Sequence, residues 1–200
     1  MIKYSVHIKG IAPLLFNRFP EEDNPEDKSK AKKAILHADS QVYQSLYWLK
    51  PMAHDAFVKT VSKEGHYKVP VGAIFQKADH ILGAMIKAGS NFKLEGKKTY
   101  KDLVKGGFFV EPMQIPHIKT DLQKDWRPVL IPATRGRVMK GRGRLDDWEL
   151  KFDLVCVDPR ANKQEVLEIL KYAGSYVGIG DYRPRYGRFE VVDAKLVEVK

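Results

Sequence analysis

Hydrophobic and polar residues alternate from the second position onward: Ile2, Tyr4, Val6 and Ile8 face one way, Lys3, Ser5, His7 and Lys9 the other. A period of two with one wet face predicts a half-buried strand, and His7 falls on its polar side as a solvated residue. Gly10 to Phe16 turns into an apolar segment that ends at Asn17 and Arg18. An acidic stretch from Glu21 to Asp27 and a basic run from Lys28 to Lys33 then predict an exposed loop. From Ala31 to Leu49 the spacing is loosely helical, and the rings of Tyr43, Tyr47 and Trp48 read as core. Pro51 closes that element.

The cleanest helical period follows Pro70. Val71, Ile74, Phe75, Ala78, Ile81, Leu82, Met85 and Ile86 make one apolar stripe, with Gly89 just past its end. Proline before a stripe and glycine after it punctuate a helix. His80 lies off the stripe and reads as a surface or helix-packing residue. His54 and His66 read as loop, with a turn at Gly65, and the lysine-rich residues 91–105 read as loop too. Phe108 to Val110 and Met113 to Ile118 predict a strand broken by Pro112 and Pro116, hence an edge or bulged one. Trp148, Leu150, Phe152, Leu154 and Cys156 alternate with Glu149, Lys151, Asp153 and Val155 as a further strand. Asn162 caps a helical stripe of Val166, Leu167, Ile169, Leu170 and Ala173 that stops at Gly174. Phe189, Val191, Ala194, Leu196 and Val197 predict a closing strand with a register slip near Asp193.

Without insertions the order is strand, helix, strand, strand, helix, strand. That is the split βαβ, ferredoxin-like pattern: an α+β fold with an antiparallel sheet and helices on one face. At 200 residues the chain reads as one domain, with insertions at about 19–69 and 119–146. The exposed sheet face of this topology meets nucleic acid in RNA recognition modules.

Charge sharpens the picture. The formal net charge is +10 and the isoelectric point about 9.5, with 44% hydrophobic residues. That balance fits a globular protein with a polyanionic partner, nucleic acid before a membrane surface. No apolar run is long enough to span a bilayer, and Met1 to Ser5 enters a strand without a signal peptide. The single cysteine, Cys156, sits in an apolar run and reads as core; a reducing cytoplasm is the expected compartment.

Two segments concentrate the cations. Arg135, Arg137, Lys140, Arg142 and Arg144 carry no acid among them, and Gly136, Gly141 and Gly143 let such a hairpin bend or hug a ligand. In a strand, Arg135 with Arg137, and Arg142 with Arg144, share a face. The second segment, Gly178 to Phe189, holds three glycines, three arginines and two tyrosines. Amides in glycine turns suit anions, the fork of Arg183, Arg185 and Arg188 fits phosphate, and Tyr182 and Tyr186 offer faces for bases. The plainer reading is a tight turn and a solvated basic loop.

With these elements in place the sequence resembles the RAMP superfamily, the ferredoxin-like RNA-binding proteins of CRISPR effector complexes and their relatives in phages and mobile elements. The first strand with its exit Gly10-Ile11-Ala12-Pro13-Leu14-Leu15, the helix between Val69-Pro70 and Ala88-Gly89, and helix 162–173 followed by Gly178-Ile179-Gly180 are similar to that family's core. The richness of Gly178 to Phe189 in Arg, Pro and Tyr departs from its usual pattern. The resemblance implies a backbone-type subunit that grips single-stranded RNA, with Arg135 to Arg144 as a protruding hairpin and Gly178 and Gly180 as the glycine-rich loop. Its partners would be copies of itself or other subunits of a ribonucleoprotein complex. Processing members of the family cleave RNA with a histidine-centred acid–base site.

The leading reading is therefore a non-enzymatic single-stranded nucleic-acid binder, RNA before DNA, without cofactor, metal or membrane. Arg18, Arg135, Arg137, Lys140, Arg142, Arg144, Arg183, Arg185 and Arg188 would meet phosphates, and Tyr182 and Tyr186 bases. The second is a metal-independent endoribonuclease, for which His37 comes nearest among His7, His37, His54, His66, His80 and His117. The third is a phage-type scaffold that docks an acidic protein. No phosphate-loop, nucleophile or metal motif points to another enzyme class.

Overall fold

The alternation at the start becomes strand β1 (Ile2–Gly10), with Tyr4, Val6 and Ile8 buried and Ser5 and Lys9 exposed. The computed structural model describes residues 1–18, 38–130 and 135–197; the acidic stretch, the basic run and His37 lie outside them. Strand β2 (Leu14–Leu15) is followed by helices α1 (Ala38–Ser45) and α2 (His54–Lys59). Short strands β3 (His66–Lys68) and β4 (Phe75–Lys77) lead into helix α3 (Ala78–Gly89). Strands β5 (Lys93–Glu95) and β6 (Lys98–Thr99) pair before helix α4 (Tyr100–Gly107). Then come β7 (Phe108–Glu111), β8 (Gln114–Pro116), β9 (Asp121–Leu130), β10 (Arg137–Leu145) and β11 (Glu149–Cys156). Helix α5 (Lys163–Tyr172), a π-type turn (Ala173–Val177) and strand β12 (Phe189–Val197) complete the chain.

The first sheet has the order β12-β1-β11-β7, antiparallel throughout. With α3 between its first and second strands in sequence, and α5 between its third and fourth, this is the expected ferredoxin-like α+β arrangement. One core cluster joins Tyr4, Val6 and Ile8 of β1 and Leu150, Phe152 and Leu154 of β11 to Ile81 and Met85 of α3 and Ile169 and Leu170 of α5. The Asn162 side chain accepts from the Gln164 amide at 2.8 Å, capping α5 as its sequence implies. The register slip is present: His7 faces Asp193 and Ile8 faces Val191, so Val192 is the extra residue of a bulge.

A second antiparallel sheet has the order β2-β10-β9-β3. The segment Arg135 to Arg144 does not fold back on itself. It forms almost all of β10, paired with β9 from Arg137↔Leu130 to Leu145↔Leu122, and the hairpin spans both strands. Trp148 fixes where this sheet meets the first: it is fully buried, and its Nε1–H donates to the Ala12 carbonyl at 2.8 Å.

Four expectations change. Helix α3 begins at Ala78 rather than Pro70, because a turn closed by Ala73 N–H to the Pro70 carbonyl (3.0 Å) precedes it, and Ile74 bridges Trp48. Residues 100–107 are helical: Tyr100, Leu103, Val104 and Gly107 are buried at i, i+3, i+4 and i+7, a stripe masked by the lysines around it. His54 lies in α2 and His66 in β3, neither in a loop. After Pro112 the chain leaves the first sheet, and β8 pairs with β4 instead of extending β7.

Candidate nucleic-acid interface

Strand periodicity puts Lys140 and Arg142 of β10 on one face with Arg127 and Asp125, their partners across the ladder in β9. Residues 178–188 pack against that face. Arg142 Nη1 pairs with the Asp181 carboxylate, and its guanidinium lies 4.8 Å over the Tyr182 ring. Arg127 donates from Nη2 to the Tyr186 hydroxyl at 2.8 Å and sits 5.1 Å over that ring. Asp125 holds Arg127 in place, accepting from its Nε at 2.9 Å. The two tyrosines meet edge to face at 6.2 Å. The two arginine-rich segments, distant in sequence, meet here at Arg142, Asp181 and Tyr182.

The sequence-derived residues divide by environment. Arg135, Arg137, Arg183, Arg185 and Arg188 are exposed and form no ion pair among the described residues. Arg135 and Tyr182 both hold positive φ (54° and 60°), and Tyr182 keeps 40% of its surface exposed. Lys140 is half-buried, donates to Asn17 Oδ1 at 2.7 Å, and lines a cavity of about 250 Å³ together with Arg18 and Gln44. Burial, then the neighbouring Arg142, holds the Lys140 pKa below the ordinary lysine value.

Two assignments need correction. Arg142, expected on phosphate, is 1% exposed and committed to Asp181 and Tyr182, so it is an internal strut. Arg142→Ala is expected to destabilise the protein by about 2–3 kcal/mol in urea unfolding, because it strands Asp181 and removes packed stem carbons. An unchanged midpoint refutes the strut. Arg144 is largely matched as well, Nε to Asp146 at 2.7 Å and Nη2 to Gln123 at 2.8 Å.

The glycines also act differently from an anion nest. The amide of Gly178 donates to Ala173 (2.8 Å), Ile179 to Gly187 (2.9 Å), Asp181 to Leu15 (3.0 Å) and Gly187 to Pro13 (2.7 Å). Those donors are spent inside the protein. Gly178 (φ 73°) and Gly180 (φ 77°) instead let the chain close on itself: a Cβ on the first would stand 2.9 Å from the Tyr186 carbonyl oxygen, and on the second 2.7 Å from that of Leu15.

This close packing shapes a second cavity, about 110 Å³, bounded by Phe16, Asn17, Tyr47, Gln76, His80 and Asp181. His80, read from sequence as surface or packing, lies beside the glycine-rich loop. Burial, followed by the charges of Arg183 and Lys77, lowers its pKa to about 4, so it is neutral at pH 7. The Gln76 amide bonds its Nδ1, and the Tyr47 ring meets it edge on at 5.5 Å. Arg127, Asp181, Gln76 and His80 were missed because their partners come from other elements; only alternation along β9 could have placed Arg127 on the basic face.

The outer face of the first sheet is not part of the basic surface. Lys3 pairs with Asp153 at 2.9 Å, His7 with Glu149 at 3.0 Å and Lys119 with Glu149 at 2.7 Å, so acidic side chains are interleaved with its basic ones. Among the described residues, no group of His, Cys, Asp or Glu is arranged to hold a metal ion. Nor is any helix long and apolar enough to cross a membrane.

No protein-family model matches the sequence, and no curated protein matches it. Among solved structures, the fold is similar to a chain in the cryo-EM structure of the Type III-B Cmr-beta bound to cognate target RNA, with a TM-score of 0.51 and 7% identity. The likeness is one of fold. It covers 98% of this chain and 61% of that one, so this chain spans less than two thirds of its neighbour.

Proposed function

We propose that this protein binds single-stranded nucleic acid, RNA in preference to DNA, along the surface shared by β9, β10 and residues 178–188, without cleaving it. The observation that carries the reading is the meeting of the two arginine-rich segments through Arg142–Asp181 and Arg127–Tyr186, with Arg135, Arg137, Arg183, Arg185 and Arg188 exposed on those segments and without an ion pair among the described residues. Arg135, Arg137, Arg183, Arg185 and Arg188 take phosphates at the rim, with Lys140 and Arg18 further in. Tyr182 and Tyr186 stack on bases, each productive stack contributing on the order of 1–3 kcal/mol. The RNA-bound state of the fold neighbour supports RNA as the strand, and its membership of a complex supports other subunits or further copies as partners.

Fluorescence anisotropy of a labelled single strand, as RNA and as DNA, tests this across salt concentrations. About six neutralised phosphates predict a log–log slope near −4, roughly 0.7 for each. The same labelled RNA stays intact on a denaturing gel. Absence of binding to either strand at low salt sinks the reading and leaves an acidic protein as the partner of the basic surface.

A further inference from the structure

We propose that the cavity between the glycine-rich loop and α3 receives one unstacked base of the bound strand and reads its hydrogen-bonding edge. The inference rests on the nucleic-acid reading above and deepens it from sequence-tolerant gripping to base selection.

The carrying observation is an unpartnered polar group in the cavity wall. Gln76 is 1% exposed, lines the cavity, and its Oε1 has no hydrogen-bond partner among the described residues. Its other amide atom is bonded to His80 Nδ1. The neutral His80 ring carries one proton; with Nδ1 accepting from Gln76, that proton is on Nε2. The pair then presents a free acceptor, Gln76 Oε1, and a donor, His80 Nε2–H. Turning the Gln76 amide over and moving the ring proton exchanges the two roles but still leaves one donor and one acceptor. A donor next to an acceptor is what the Watson–Crick edge of a base offers in return. A buried amide left without that partner costs stability.

The rest of the cavity suits the same guest. Phe16 and Tyr47 supply ring walls, and the Asp181 carboxylate, fixed by Arg142, adds an acceptor. About 110 Å³ is several times what one water needs. Asn17 is shared with the neighbouring cavity, which Lys140 and Arg18 also line.

The test uses four short labelled single-stranded RNAs, all adenylate, all cytidylate, all uridylate, and alternating guanylate and uridylate. Each is titrated by anisotropy against the wild type and Gln76→Leu. The wild type is expected to separate the strongest from the weakest strand by about tenfold, the scale of one good bidentate base contact. Gln76→Leu levels that preference and keeps the wild-type affinity for the weakest strand, which also shows that the variant is folded. Equal binding of all four strands by the wild type overturns the base pocket, as does a preference that survives in Gln76→Leu. Binding of no strand overturns the nucleic-acid reading itself, and the pocket with it.

Discussion

Replacing Arg135, Arg137, Arg183, Arg185 and Arg188 together by glutamine is expected to lower affinity for single-stranded RNA by about three orders of magnitude in dilute salt. All five side chains are exposed and unpaired among the described residues, so the substitutions break no internal contact and the unfolding midpoint stays in place. Each phosphate contact on a single strand adds roughly 0.7 to the salt slope, so removing five flattens it by about 3.5. The loss in affinity follows, because counterion release is what dilute salt rewards. A lower net charge alone would also weaken binding through the long-range field. A matched control separates the two: glutamine at Lys59, Lys63, Lys93, Lys97 and Lys101 removes the same charge away from the two arginine-rich segments. That variant is expected to keep most of the affinity and the full salt slope. Equal losses in both variants would mean that net charge, not this surface, drives binding.

How much of this surface the sequence discloses depends on the range of the forces that make it. Period-two alternation marks β1 and β11 because each strand buries one face locally, and Asn162 marks the start of α5 because a cap acts over two residues. The basic residues of β10 are visible for the same reason. What they do is not, because the choice between solvent and core is made by the partner strand. Lys140, Arg142 and Arg144 read alike in sequence, yet in the fold one lines a cavity, one is an internal strut and one is matched by Asp146. The glycines mislead in an instructive way. A close backbone approach is what they permit, but the approaching backbone is the protein's own, at Leu15 and Tyr186. His80 reads as a surface or packing residue because it lies off the apolar stripe of its helix, and no local pattern shows that residues 180 and 181 come to rest beside it.

Acidification from pH 7.5 to pH 5 is expected to destabilise the protein sharply, with His117 and His80 as the causes, His117 the more deeply buried. His117 is fully buried, its ring meets Phe16 edge on at 5.3 Å, and neither ring nitrogen has a hydrogen-bond partner among the described residues. Burial lowers its pKa from 6.5 to about 3. The folded state therefore binds the proton less readily than the unfolded chain. Stability is complete above about pH 6.5 and is lost as the pH falls from there toward the folded value. At pH 5 the gap is about 1.5 units, or about 2 kcal/mol at 1.36 kcal/mol per unit. His80, with a folded value of about 4, adds a similar share at pH 5, and its share stops growing sooner as the pH falls further. The carboxylates held low by cationic partners, Glu149 by Lys119 and Asp158 by Arg160, titrate below this window and add little at pH 5. Urea unfolding of the wild type and of His117→Leu at both pH values isolates the cause. The variant is expected to lose about 2 kcal/mol less than the wild type between pH 7.5 and pH 5. It should also be no less stable at pH 7.5, since the imidazole it removes satisfies no polar partner there. Identical acid losses in the two proteins would place the titrating group elsewhere.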